Sequence, residues 1–431
     1  MKLTKNRVIF IAFTCLFTLS LYYAYASVAA TSFKYFGYGD GSPTFFHIFS
    51  IVFFILVPTL LIPVSNPRPS VYVVTIIFYV VYIPTLVILN DVGLAYNVED
   101  FVLSLVLFVC FSINALFTRL PLFDIRKISI LGIPTISIVY ALAVPLSILI
   151  FYKVGWNFSF VSLLDVYSKR DAIKEMGLGS FGYFISWMAN FFLPVIMARA
   201  LVLGNWKVVL AVVMGYSFLY FTIGAKIYIF SLGYFVLSYG YYKTLKNGNY
   251  FIPLVFSVLL LLPLLMFGES LKELKFVYEG VISLRVFLIQ GLSLAVYSDF
   301  FLGNQYTYFS HITGVNLFVD YPYSESIPMV LDTKYGLGTF NAPYYASDGF
   351  TSFGYLGMLI MAPLFSAFFY FFDLVSRKHN EKFVLLSISV FVVSLSNAAL
   401  ATSMISFGGV LLVIYFMFSV DKRMRIKEGC K

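Results

Sequence analysis

Apolar residues along this chain neither alternate nor stay on one helical stripe. They come in unbroken runs, and each run is close to the roughly 20 residues that an α-helix needs to cross a bilayer. Twelve such runs predict spans at 8–28, 47–64, 71–90, 101–118, 130–152, 181–201, 208–223, 227–242, 250–267, 353–373, 383–402 and 405–420. The period-two pattern of an outer-membrane barrel is missing. No repeat, low-complexity stretch or linker interrupts the series, so residues 1–431 read as one polytopic, all-α membrane domain.

Composition narrows the class further. The chain is 61% hydrophobic and only 11% charged, with a mean hydropathy of +0.91. Soluble domains carry about 25% charged residues, which excludes a soluble enzyme or a nucleic-acid binder. The net charge of +9 reflects topology. With the N-terminus inside, nineteen of the 29 lysines and arginines fall in the short inner segments, among them Arg7, Arg68, Arg119, Arg126, Arg377 and the tail from Lys422. Basic residues stay on the cytoplasmic side, so both termini are expected inside. The start, Met1 to Arg7 and then an apolar run ending in Ala24-Tyr25-Ala26, reads as a retained first span or as a cleavable signal peptide. Three cysteines, Cys15, Cys110 and Cys430, form no CxxC and predict no disulfide or metal framework.

Two loops are long, about 153–180 and 268–352, and both are expected on the outer side. Long ordered loops usually carry function. The inner loops hold no phosphate-cradling glycine motif. Loop 153–180 carries Lys169-Arg170-Asp171 and Lys174-Glu175, whose i,i+4 pairs are like-charged. That pattern does not stabilise a helix and suits an anionic ligand, with Arg170 the leading cation. In the second loop, Glu269 to Glu279 predicts a short surface helix and 281–302 an apolar segment that contains Arg285. A full span there would put Arg377, Lys378 and Lys382 on the wrong side, so 281–302 is read as re-entrant or interfacial. Arg285 then lies near membrane depth, where a guanidinium either snorkels to the headgroups or binds phosphate oxygens with its donor fork.

Downstream lie Tyr306, Tyr308, His311, Tyr321, Tyr323, Tyr335, Asn341, Tyr344, Tyr345, Asp348 and Tyr355. Tyrosines with nearby amides and carboxylates suit a sugar; an aromatic belt at the membrane interface gives the same composition. Tyr308, Asn341, Tyr344 and Tyr345 are the candidate sugar contacts. His311 and Asp348 compete as the base that deprotonates a hydroxyl, and the sequence does not separate them. No histidine pair or DxD appears in the outer loops, so no metal and no cofactor is expected.

The stretch Gly338-Thr339-Phe340-Asn341 through Asp348-Gly349-Phe350-Thr351-Ser352-Phe353-Gly354-Tyr355-Leu356-Gly357 resembles the N…(S/A)DG…FG..G segment of the Wzy-type O-antigen polymerases. The many spans and the two large outer loops, each with an arginine, resemble that family as well. The resemblance implies chain elongation at the periplasmic face of the bacterial inner membrane. The donor is a growing glycan on undecaprenyl diphosphate, and the acceptor is a lipid-linked repeat unit. Arg285 and Arg170 would stabilise the departing diphosphate, His311 or Asp348 would assist the attacking hydroxyl, and segment 281–302 would line an opening for the lipid tails. Membrane lipid and a chain-length regulator protein are the implied partners. An O-antigen ligase shares this logic; a polysaccharide flippase would require charges inside spans, and these spans hold few.

Overall fold

The structure is a computed structural model that describes residues 4–41, 43–96, 99–124, 135–160, 173, 177–266, 268, 271–339 and 341–419. Its helices run in chain order as α1 (Lys5–Ser32), α2 (Phe45–Leu61), α3 (Pro69–Leu89), α4 (Asp100–Phe117), α5 (Thr135–Asn157), α6 (Phe181–Leu203), α7 (Trp206–Ile223), α8 (Lys226–Thr244), α9 (Phe251–Leu265), α10 (Lys272–Leu302), α11 (Ile327–Tyr335), α12 (Tyr345–Ser376), α13 (Glu381–Ser387), α14 (Ser389–Leu395), α15 (Leu400–Ile405) and α16 (Gly409–Phe418). No strand occurs among the described residues. Eight of these helices are long and apolar enough to cross a membrane: α1, α3 to α7, α10 and α12. The protein is a multi-pass α-helical membrane protein. At the centre, the whole of α3 is buried, and α4, α10 and α12 pack around it.

One end of the bundle is held by arginines. Arg7 donates to the carbonyls of Thr59 (2.8 Å) and Ile62 (2.6 Å), and Arg119 donates to those of Leu60 and Leu61. Arg68 reaches Thr118 (3.0 Å) and Leu120 (2.8 Å). The last carbonyls of a helix have no partner within it and carry the negative end of its dipole. The arginines expected on one side therefore cap the C-termini of α2 and α4. Arg126, Lys127 and the basic tail lie outside the described residues.

At the opposite end, residues 33–41 and 90–96 form one loop layer. Ala95 donates its N–H to Gly37 (2.9 Å), and Tyr96 donates its hydroxyl to the Phe36 carbonyl (2.6 Å). Both ends of α10 meet this layer. Phe276 stacks on Phe33 at 5.4 Å; Asp299 accepts the Tyr335 hydroxyl, and the Tyr335 ring meets Tyr96 at 5.7 Å. Between them, Phe287 reaches down to Phe17 and Phe256 in the middle of α1 and α9. Between the two ends, Glu279–Leu288 is a wide-turned helical stretch.

The surface helix expected before 281 is thus the first part of α10 rather than a separate element. Its second half, Ile289–Leu302, is almost wholly buried, packed on α3 and α12. Those residues are core and do not border a lipid opening.

One sequence span breaks, and another is preceded by a helical segment. The run 383–402 divides into α13, α14 and the start of α15, with Ser396 and Asn397 in the turn before α15. Helix α12 is two helical segments joined at Phe353 (φ −148°, ψ 26°) and Gly354 (φ 58°, ψ −134°). The second conformation suits only glycine. Here the chain folds back on itself, so that a Cβ on Gly357 would lie 2.0 Å from the Gly349 carbonyl oxygen. The glycines of the Asp348–Gly357 motif let two backbones touch.

Candidate active site

The fold-back carries Asp348 into the bundle, where none of its surface is exposed. One carboxylate oxygen accepts the backbone N–H of Leu400, at the start of α15, and the other faces His311 Nε2 at 3.4 Å. A carboxylate with no solvent requires partners, and the break between α14 and α15 exposes the N–H that supplies one.

His311 comes from the loop between α10 and α11. A tight turn aims it, with Tyr308 and Phe309 both at positive φ (52° and 64°). Bulky non-glycine residues rarely adopt this region, and each costs about 1–3 kcal/mol. The turn is fastened to the fold-back of α12. Thr307 donates its N–H to the Thr351 carbonyl (2.9 Å), Tyr308 donates to that of Ser352 (3.2 Å), and the rings of Tyr308 and Phe309 pack edge-on against Phe353. Strain stored in the loop is therefore balanced by contacts with the motif. The His311 side chain keeps 15% of its surface exposed. On its other nitrogen, Nδ1 stands 2.9 Å from Thr307 Oγ1.

The two residues that compete as base in the sequence are thus one pair with unequal access. Asp348 is sealed in, whereas His311 keeps part of its side chain at the surface. With Asp348 at Nε2 and the Thr307 hydroxyl at Nδ1, a protonated imidazole at this place would be stabilised by the carboxylate.

Arg285 lies elsewhere. It is exposed and forms no ion pair with a described carboxylate. Its neighbour is Tyr38, whose buried hydroxyl is pushed well above the ordinary phenol range, with the nearby Arg285 charge working against that rise. Further along α10, Tyr297 is within electrostatic reach of Asp348. Arg170, with Lys169 and Lys174, lies outside the described residues.

The tyrosines divide by burial. Tyr344 and Tyr345 are buried, and their phenol oxygens accept the two N–H bonds of the Asn114 amide, whose own oxygen accepts Ser366 Oγ (2.8 Å). Tyr344 also stacks on Phe365 at 4.3 Å. These rings join α4 to α12 and have no face left for a sugar, which corrects the expectation for both. Tyr321 and Tyr323 donate to the backbone of their own loop, at Glu325 and Gln305. Burial pushes the Tyr321 hydroxyl up to about 12. Tyr335 is raised further by burial and by Asp299, to which it donates. Tyr308, 43% exposed, and the exposed Asn341 are the two candidate sugar contacts that present a surface.

Sequence reasoning missed Thr307, Asn114 and the Leu400 N–H. Only the four-residue step from Thr307 to His311 carried a signal. Comparison of the chain with protein-family models, curated proteins and solved structures finds no match.

Proposed function

We propose that the protein elongates a polyprenyl-diphosphate-linked glycan at the outer face of the bacterial inner membrane, transferring the growing chain to the terminal hydroxyl of a lipid-linked repeat unit. The observation that carries this reading is the His311–Asp348 pair, a partly exposed imidazole backed by a sealed carboxylate in the strand-free loop end of a membrane bundle. His311 takes the proton of the attacking hydroxyl, and Asp348 stabilises the imidazolium. The new bond forms at the anomeric carbon, and the diphosphate leaves with the electron pair of the old one. Tyr308 and Asn341 are the sugar contacts in this reading.

In this reading Arg285 and Arg170 hold the departing diphosphate, and the exposed guanidinium of Arg285 is open to such a ligand. An apolar cavity of about 390 Å³ between α5, α6 and α7, lined by Ile148, Phe151, Met188, Met214 and Phe218 among others, suits a polyprenyl tail.

The test is a lipopolysaccharide gel of a deletion strain. The restored gene should return a ladder of long chains, and His311→Gln should return single repeat units. Long chains that accumulate on undecaprenyl diphosphate but never reach lipid A in the deletion strain would identify a ligase instead.

A further inference from the structure

We infer that Lys243, Lys382 and Tyr239 form a binding site for the phosphate of an anionic phospholipid at the arginine-held end of the bundle. The site lies between α8 and α13 and does not depend on the reaction proposed above.

Two ammonium groups converge on one ring there. Lys243 Nζ stands 5.5 Å from the centre of the Tyr239 ring, and Lys382 Nζ stands 4.9 Å from it. An aromatic face attracts a cation at such distances. Lys243 and Tyr239 are one turn apart on α8, whereas Lys382 comes from the first turn of α13. Lysines that snorkel singly to the headgroups can spread apart, as like charges repel. These two share a ring, and neither has a carboxylate within ion-pair distance among the described residues. Glu381, beside Lys382 in the chain, is within electrostatic reach of Lys246. Three lysines therefore face one carboxylate, and the ends of α8 and α13 keep an excess of positive charge.

The position of the site selects the anion. Asn6, one residue before Arg7, donates its amide to the Lys246 carbonyl at 2.9 Å. This end of α8 therefore lies beside the arginine-capped end of α2, where the basic residues are expected to face the cytoplasm. Toward the bilayer, Tyr239 (40% exposed) and Val236 (63% exposed) continue the outward face of α8 from Lys243. A free anion makes no use of that apolar stripe. A phospholipid presents its phosphate to the two ammoniums and an acyl chain to Val236, and basic pockets between helices on this side suit such headgroups. The bound lipid ties α8 to α13. From α13 the chain runs through α14 to Leu400, whose N–H holds Asp348, so the lipid steadies the element that completes the candidate site.

Native mass spectrometry of the full-length protein, titrated in detergent with phosphatidylglycerol or phosphatidylcholine, reads the site. The wild-type protein should take up one phosphatidylglycerol in preference to phosphatidylcholine. Lys243→Gln combined with Lys382→Gln should cut that preference about thirtyfold, the factor two such charges supply at an anionic surface. Lys5→Gln combined with Lys207→Gln removes two exposed lysines outside the site and should leave the preference unchanged. Phosphatidylglycerol should also raise the melting temperature of the wild-type protein and not that of the Lys243→Gln, Lys382→Gln variant. No preference in the wild-type protein overturns the inference, as does an equal loss in both double variants, which would show a diffuse basic surface. Displacement of the lipid by millimolar inorganic phosphate overturns it in favour of a free-anion site. A photoreactive phosphatidylglycerol needs no variant: it should cross-link the wild-type protein within α8 or α13, and adducts confined to other helices sink the assignment.

Discussion

Gly357→Ala perturbs the fold-back of α12 at its closest point. The added Cβ would lie 2.0 Å from the Gly349 carbonyl oxygen and 2.9 Å from its carbon, and both are backbone atoms that no rotamer change can move. Overpacking of this kind costs about 1–3 kcal/mol and occasionally more. The gain in helix propensity from Gly to Ala, about 1 kcal/mol, offsets part of it. The 2.0 Å overlap with backbone puts the cost at the upper end, so a net loss of about 2 kcal/mol is expected in a segment that also carries Asp348. Gly233→Ala is the matched control, since it lies inside α8 with nothing within 4 Å of its Cβ. Thermal unfolding of the purified protein in detergent, followed by size-exclusion chromatography, compares the two. Gly357→Ala should melt several degrees below wild type and yield short chains, while Gly233→Ala should match or exceed wild type. If Gly357→Ala melts with Gly233→Ala, the backbones do not touch there, and the account of the glycine motif is wrong.

Other outcomes follow from the same geometry. Asp348→Asn should keep an acceptor for the Leu400 N–H and fold, yet lose chain elongation on the gel; wild-type ladders would detach Asp348 from the chemistry. Asp348→Ala should cost a further ~1–3 kcal/mol in the melt, because it leaves that buried N–H unpaired. Arg285→Ala should leave the melting temperature unchanged, as expected for an exposed residue without an ion pair among the described residues, and abolish long chains. Arg285→Lys should restore only part, since an ammonium lacks the guanidinium's two parallel donors; a normal ladder in the alanine variant makes Arg285 a snorkelling residue. Asn114→Ala should lower stability by about 1–3 kcal/mol through the two unpaired phenols, whereas Tyr345→Phe should leave sugar affinity unchanged, and a raised KM there would return Tyr345 to the sugar site. Cysteines placed at Lys34 and Asn341 should react with an impermeant reagent from one side of the membrane and a cysteine at Lys378 from the other; labelling of Lys34 and Asn341 from opposite sides sinks the return of α10 to the loop layer.

Long apolar runs were sufficient to place most helices, because hydropathy and length are local properties. The breaks were not legible in the same way. Nothing in Ser394 to Leu400 marks a helix that stops and restarts around a carboxylate 52 positions earlier, since the partner is tertiary. The glycines of the motif signalled a close approach without saying which backbone approaches which. Residues 281–302 were read correctly as an apolar segment without showing that 272–280 continue into the same helix. The tyrosines misled for a different reason. A phenol that bridges helices through Asn114 and a phenol that faces a sugar have the same sequence signature, and only burial separates Tyr345 from Tyr308.

The bond from the Leu400 N–H to Asp348 has a consequence for synthesis. His311, Thr307 and Asp348 leave the ribosome well before residue 400, yet the carboxylate has its second partner only when α15 arrives. While the 52 positions from Asp348 to Leu400 are being made, the carboxylate lacks that partner. The site closes as one of the last tertiary events, when the membrane helices before it are already in place. A nascent chain arrested before Leu400 should therefore be inserted but inert, with His311 accessible to diethyl pyrocarbonate. Release of a few more residues should protect it.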